Sequence, residues 1–282
     1  MLDAIRAEAL KLHRHRATWM MVWIYPIVVT LLVIGILLYG ALSSHAPTGE
    51  GRSAAEWIHD SVIFWNVPSS GPGRFLIAGF SAVVFAGEYG WKTWKLIIPA
   101  RSRWQLIAAK WVVAFGFVMI AFVAADLILL LGEWLGSFQS DKIPDGVTFG
   151  AVIEAHWKAA SNALPAILFT IAFAGLFAVL TQSILATVIL SIALVILEGL
   201  LPILALLGYN YAPGLVAALV KLLPFYHLTN LNAWARGAGA VVQLSRTETV
   251  TMAWSTSFWA LTAWIVAAAA ATQVRFLRQD LN

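Results

Sequence analysis

Residues 19–42 read WMMVWIYPIVVTLLVIGILLYGAL, a run without a single charge. As a helix at 1.5 Å per residue it spans about 36 Å, enough to cross a hydrocarbon core of about 30 Å. Arg14 and Arg16 precede it, as basic residues precede a secretory signal. The apolar core of a signal is only about 7–15 residues long, so this segment is expected to stay as a first membrane span. The rest of the chain has the same character. Of its 282 residues, 61% are hydrophobic and 11% charged, against about 45–50% and about 25% in a soluble domain. Surface area shrinks too slowly with size for a soluble fold of this length to hide so much apolar surface.

Five further spans are expected at about 73–94, 111–131, 159–180, 184–206 and 251–274. The second is the noisiest. The breakers Val67-Pro68-Ser69-Ser70-Gly71-Pro72-Gly73 precede it, and the apolar run after them ends at Gly87, too early for a full crossing. Thr181-Gln182-Ser183 makes a tight turn between spans four and five. Residues 213–240 are apolar but broken by Pro213, Pro224, Gly237 and Gly239, a pattern that suits a re-entrant pair of short helices. The expected fold is therefore all-α and polytopic, with six spans in one transmembrane domain over 19–274. A cytoplasmic amphipathic helix over 1–18 precedes it and a short tail over 275–282 follows.

Charge tests this arrangement. One side receives the N-terminus, the segment 88–110, the Thr181 turn and the C-terminus. It holds eleven Lys/Arg and four Asp/Glu; the other side, with the acids inside the spans, holds seven and ten. Excess Lys/Arg marks the cytoplasmic side, so both termini are expected in the cytoplasm of a cell whose plasma membrane the chain crosses. There is no cysteine, hence no disulfide or thiolate metal site. The cations are scattered at the ends of apolar segments, which disfavours a nucleic-acid surface.

Two segments on that side stand out. In residues 2–16, Leu2, Ile5, Ala9 and Leu12 recur at helical spacing, while Arg6, Lys11, Arg14 and Arg16 are available to anionic headgroups. That is the pattern of an interfacial amphipathic helix, or of a plain orienting anchor. The second is 88–110, long, basic and aromatic, with Pro99 breaking it into two short helices. A mere connection could be three residues long, so this one reads as a docking element for a cytoplasmic partner.

At this point the sequence resembles the permease subunits of type-2 ATP-binding-cassette (ABC) exporters. The match lies in Gly87-Glu88-Tyr89, Lys92-Thr93, the aliphatic run 96–98, Pro99-Ala100-Arg101-Ser102-Arg103 and Lys110. The N-terminal Glu8-Ala9-Leu10-Lys11-Leu12, followed by Arg16 and Trp19, is similar to the start of the bacitracin-resistance and lantibiotic-immunity permeases. Trp91-Lys92 departs from the small or polar residues usual in that family. The resemblance implies that Glu88, Tyr89, Lys92, Thr93, Pro99, Arg101 and Arg103 form a coupling helix seated in a separate ATPase subunit. It also implies two ATPases and two permeases per transporter, a homodimer by default. The chain has no Gly-x4-Gly-Lys-Ser/Thr loop, so ATP and Mg are expected on the partner, with no cofactor on this chain and no enzyme activity of its own. The Trp-rich outer ends, with Trp57, Trp65, Trp134, Trp157 and Trp234, suit an amphipathic cargo, lipid-like, peptide or drug-like, and equally suit an ordinary aromatic belt.

Asp126 and Glu198 fall about 21–23 Å from the cytoplasmic ends of spans three and five. Intramembrane acids are costly and usually face a cavity or a partner; here they either line a substrate path or are hydrogen-bonded within the bundle. His227 is expected to be a structural hydrogen-bonder, and the other histidines have no metal-ligand spacing, so no metal site is expected. The rival reading is a stand-alone ion- or proton-coupled secondary transporter with Asp126 and Glu198 as relays. It lacks the internal repeats such transporters usually show. A membrane-embedded enzyme lacks a catalytic cluster.

Overall fold

A computed structural model describes residues 1–42, 52–97, 102–139, 143–234, 238–245 and 247–279. The N-terminal segment forms α1 (Leu2–His13) and α2 (Arg16–Met21), and the apolar run forms α3 (Ile24–Leu42). The His15 ring caps α2 by accepting from the Ala17 amide. Next come α4 (Ala54–Ser61), a 3-10 helix (Ile63–Ser69) and α5 (Gly71–Trp91). The single turn α6 (Trp94–Ile97) leads to two very long helices, α7 (Arg103–Gln139) and α8 (Phe149–Thr181). The chain closes with α9 (Ile184–Tyr209), the short pair α10 (Pro213–Leu222) and α11 (Pro224–Trp234), a two-stranded ribbon and α12 (Trp254–Leu277). The ribbon pairs Val242 with Val250 and Gln243 with Thr249. Apart from it the described fold is all-α, as expected.

Five of these helices, α3, α7, α8, α9 and α12, are long and apolar enough to cross a membrane, and the pair α10–α11, bent by 60°, passes the same test jointly. The expected second span, α5, does not stand among them. Its composition is diluted by Arg74 and Glu88, yet it is the most enclosed helix of the bundle, buried almost continuously from Ile77 to Glu88. A helix ringed by protein needs no lipid-compatible surface, so hydropathy understates it. Lipid-facing helices show the reverse: α3 leaves Leu31, Leu32, Ile36 and Leu38 exposed.

The helices also run past the expected span limits. At 1.5 Å per residue, α7 and α8 are about 55 and 50 Å long, well beyond a core of about 30 Å. α7 takes in the whole stretch from Arg103 to Lys110, so the second half of the expected docking segment is the first part of a long helix. Polar helix-forming residues simply continue each rod past its apolar part; hydropathy marks lipid, not helix ends.

Helix α1 and Gln279 lie at one end of the bundle. There α1 and the start of α7 meet the end of α5 through Glu8, Lys11, Lys110 and Glu88, and Gln279, just after α12, bonds Tyr89 of α5 and the Val179 carbonyl of α8. At the far end Arg52 pairs with Asp60 and Glu133, at 2.6 and 3.0 Å. The Trp57 indole also donates to Ser137 there (2.9 Å), holding α4 on α7. Between these ends the 3-10 helix dips into the bundle: Phe64 and Trp65 are buried against Tyr25 and Phe122. The start of α5 is thereby inside the protein, with Tyr25 donating to the Gly73 carbonyl (2.7 Å). Contact is so close that a Cβ on Gly73 would stand 2.1 Å from the Val67 carbonyl oxygen. The breakers at 67–73 thus shape a buried turn and do not mark the membrane surface.

Candidate functional site

Two buried charge clusters sit at opposite ends of α5. At the α1 end, Glu88 and Lys110 are 1% and 2% exposed. Lys110 donates to Glu88 Oε2 (2.6 Å), to the Val84 carbonyl (2.6 Å) and to Glu8 (3.1 Å), which uses all three ammonium protons. Lys11 reaches Glu88 Oε1 at 2.5 Å and Glu8 at 2.6 Å. Each group therefore meets opposite charge with good geometry, the condition under which burial of ions is tolerated. Lys110 also lies 5.5 Å from the Trp94 ring and Lys11 5.9 Å from that of Trp91.

Around this knot the other expected coupling residues separate into inner and outer sets. Tyr89 bonds Gln279, and Arg103 donates to the carbonyls of Gln279 (2.6 Å) and Leu277 (3.2 Å). α5 ends where Lys92 turns left-handed (φ 56°), and the Thr93 amide returns to the Glu88 carbonyl at 3.1 Å. Lys92 and Lys95 are exposed, whereas Trp94 is buried on Phe276 with ring centroids 4.7 Å apart. Pro99 and Arg101 lie outside the described residues. On the N-terminal helices Arg6, Arg14 and Arg16 are exposed, while Lys11 turns inward to the knot.

The second cluster surrounds Arg74, in the first turn of α5. Fourteen residues separate it from Glu88, about 21 Å along the helix. Arg74 pairs with Glu198 of α9 and donates from Nε to Thr170 of α8 (3.0 Å). Its guanidinium lies 5.5 Å from the Phe169 ring. Arg74 Nη2 and Glu198 Oε1 have no protein partner. Both residues line a cavity of about 260 Å³ walled by Ala166, Val195, Gly199 and Phe225.

Asp126 is elsewhere, hydrogen-bonded to His156 Nδ1 at 2.7 Å, with His156 Nε2 3.3 Å from Ser61. The two intramembrane acids thus take different partners. His227 bridges Ser257 (3.0 Å) and the Lys221 carbonyl (2.9 Å), beside Asn230, which bonds Ser257 and the Met252 carbonyl. These bonds hold the hairpin α10–α11 on α12. Among the described residues no three His, Asp or Glu side chains gather as a metal site.

Arg74 escaped the reading of the sequence, although a signal for it exists. Glu198 stands fifteen residues from the turn at Ser183 and Arg74 fourteen from Glu88, so helical rise alone puts the two charges at nearly one depth. Glu8 and His156 carry no such signal, because their partners depend on how helices pack sideways.

No curated protein matches the chain. The family described as ABC-2 family transporter protein matches residues 4–198, a stretch that begins in α1, contains every member of both charge clusters and ends at Glu198. The chain accordingly belongs to the ABC-2 family of transporter proteins: it is a multi-pass membrane permease component of an ABC transporter, a family that works with an ABC ATPase subunit.

Proposed function

We propose that this permease is an exporter of an amphipathic cargo, powered by two separate ATPase subunits that dock on the segment 88–110. In this reading both termini and the docking segment face the cytoplasm of a plasma membrane. Two copies of the chain form the transporter, and ATP and Mg bind only the ATPases. The observation that supports it best is the placement of α5. One end of this buried rod is knotted to α1 and α7 through Glu88; the other holds the Arg74–Glu198 pair beside a cavity. A push on exposed Lys92, the residue that caps α5, is delivered directly to that helix. Glu88 then acts not by touching the ATPase but by joining α1, α5 and α7 so that they move together. Exposed Arg6, Arg14 and Arg16 hold α1 on the headgroups during the stroke.

The likeness of the N-terminal segment to the bacitracin-resistance and lantibiotic-immunity permeases points to the same direction of transport. The secondary-transporter reading finds less support. Glu198 pairs with Arg74 and Asp126 with His156, two separate sets of partners that do not form a relay. The test is co-purification of the chain with a candidate ABC ATPase subunit. A Lys92→Glu/Lys95→Glu variant should weaken the complex at least tenfold while the permease remains folded. Undiminished binding by that variant would show that the ATPase docks elsewhere.

A further inference from the structure

The Arg74–Glu198 pair is incomplete in a specific way. It spends one amino group and one carboxylate oxygen on itself, and Arg74 Nη2 and Glu198 Oε1 are left without a protein partner. Arg74 is 5% and Glu198 7% exposed, so these are buried groups that demand hydrogen bonds. The free atoms are of opposite kind: Nη2 needs an acceptor, best an anion, and Oε1 needs a donor, best an ammonium. Their own charges cancel. A ligand of net charge would leave an uncompensated ion at membrane depth, whereas one bearing both charges would satisfy both atoms and stay neutral overall.

Size narrows the choice. At about 260 Å³ the cavity falls below the roughly 300–1,000 Å³ of a site for a whole drug-sized molecule, so it suits one compact head and not an entire amphiphile. A second cavity of about 360 Å³ lies towards the far end between α4 and α8, with His59, Trp65, Asn66 and Lys158 on its walls. Asn232 of α11 lines both, so the two cavities adjoin at that side chain within one protomer.

We infer that the Arg74–Glu198 cavity is a binding site for the zwitterionic headgroup of a lipid. Its phosphate faces Arg74 and its ammonium faces Glu198, with the chains outside the cavity among the apolar helix surfaces. This rests on the permease reading for its purpose, but its test is independent: binding is measured on the isolated full-length chain in detergent, with no ATPase present.

The probes are dihexanoyl-phosphatidylethanolamine, dihexanoyl-phosphatidylglycerol and the chain-free glycerophosphoethanolamine, titrated calorimetrically. The ethanolamine lipid should bind at least tenfold tighter than the glycerol lipid, and at least tenfold tighter than the chain-free head. Gly199 supplies the key variant. A Cβ there meets nothing within 4 Å beyond its chain neighbours, so Gly199→Leu narrows the cavity from its wall with both charges kept, and it should lose at least tenfold in affinity with no loss of thermal stability. Val195→Phe, one turn away on the same wall of α9, is the second variant should the first not fold. Equal binding of the two lipids overturns the zwitterion. Equal binding of the chain-free head assigns the site to a soluble compound, and unchanged binding by both filled variants moves the site elsewhere. No binding at all leaves the pair a structural one completed by water; a cationic amphipathic peptide that binds where the lipids do not makes the site a peptide site. Each of these results overturns the assignment.

Discussion

Glu88 illustrates how a residue chosen from sequence for one role serves another place. A carboxylate at the end of a span, followed by basic and aromatic residues, reads as a surface contact. In the structure both of its oxygens are consumed by Lys11 and Lys110. Breaking a buried pair leaves an uncompensated ion and costs about 3–5 kcal/mol, whereas replacing both ions with apolar residues can be neutral. Glu88→Gln should therefore destabilise the permease by that amount in denaturant titration, and Glu88→Met/Lys110→Met should recover much of the loss. Gly73 and Gly199 make a second contrast at this scale. Gly73→Ala drives a Cβ into the Val67 carbonyl and should cost upwards of about 1–3 kcal/mol. Gly199→Ala enters open space in a helix and should gain up to about 1 kcal/mol. Thermal unfolding in detergent separates the two.

Among the elements, those that touch lipid were legible and those that touch protein were not. Residues 19–42 and 184–206 stand out in the sequence because lipid demands unbroken apolar surface, and α3 and α9 answer to them. α5 could be found only as a weak span, since its neighbours and not lipid satisfy Arg74 and Glu88. The buried 3-10 helix and the ribbon at 242–250 have no periodicity long enough to show. Along residues 2–16 the sequence offers four equivalent cations, but packing turns Lys11 inward and leaves Arg6, Arg14 and Arg16 out. Replacing those three arginines with Gln should weaken the attachment of α1 to anionic membrane by about 1 kcal/mol each, read from a fluorophore on Ala7→Cys, while Lys11→Gln should lower the melting temperature instead. On α4, Ser53 donates from backbone and hydroxyl to Glu56, holding that carboxyl below its usual range. The sign follows: this support is complete above the unfolded-state pKa and is lost as pH falls through the lowered folded-state value. Hydrogen-exchange protection of the Trp57 amide, bonded to the Ser53 carbonyl, should decline through that window, and Ser53→Ala, which removes the hydroxyl and keeps the backbone donor, should shrink the dependence.

For the whole molecule the main consequence is a division of labour along one axis. The end that carries α1 is locked by charge and offers Lys92 and Lys95 outward; the middle holds the Arg74–Glu198 cavity; the far end is clamped by Arg52 and Trp57. Expected and observed folds agree on an all-α polytopic bundle because composition and hydropathy decide that much. The link between the two charge clusters lay beyond the sequence, since it depends on which helix sits in the centre. That link is the claim most open to test, and a chain without cysteine suits the test well. Spin labels on Pro72→Cys at the start of α5 and Trp157→Cys on α8, both exposed and away from the docking surface, report the distance between the two helices by double electron–electron resonance. In the reconstituted complex with its ATPase, trapping nucleotide should shift the Pro72–Trp157 distance distribution. Superimposable distributions with and without trapped nucleotide, in a complex that hydrolyses ATP, would contradict the account.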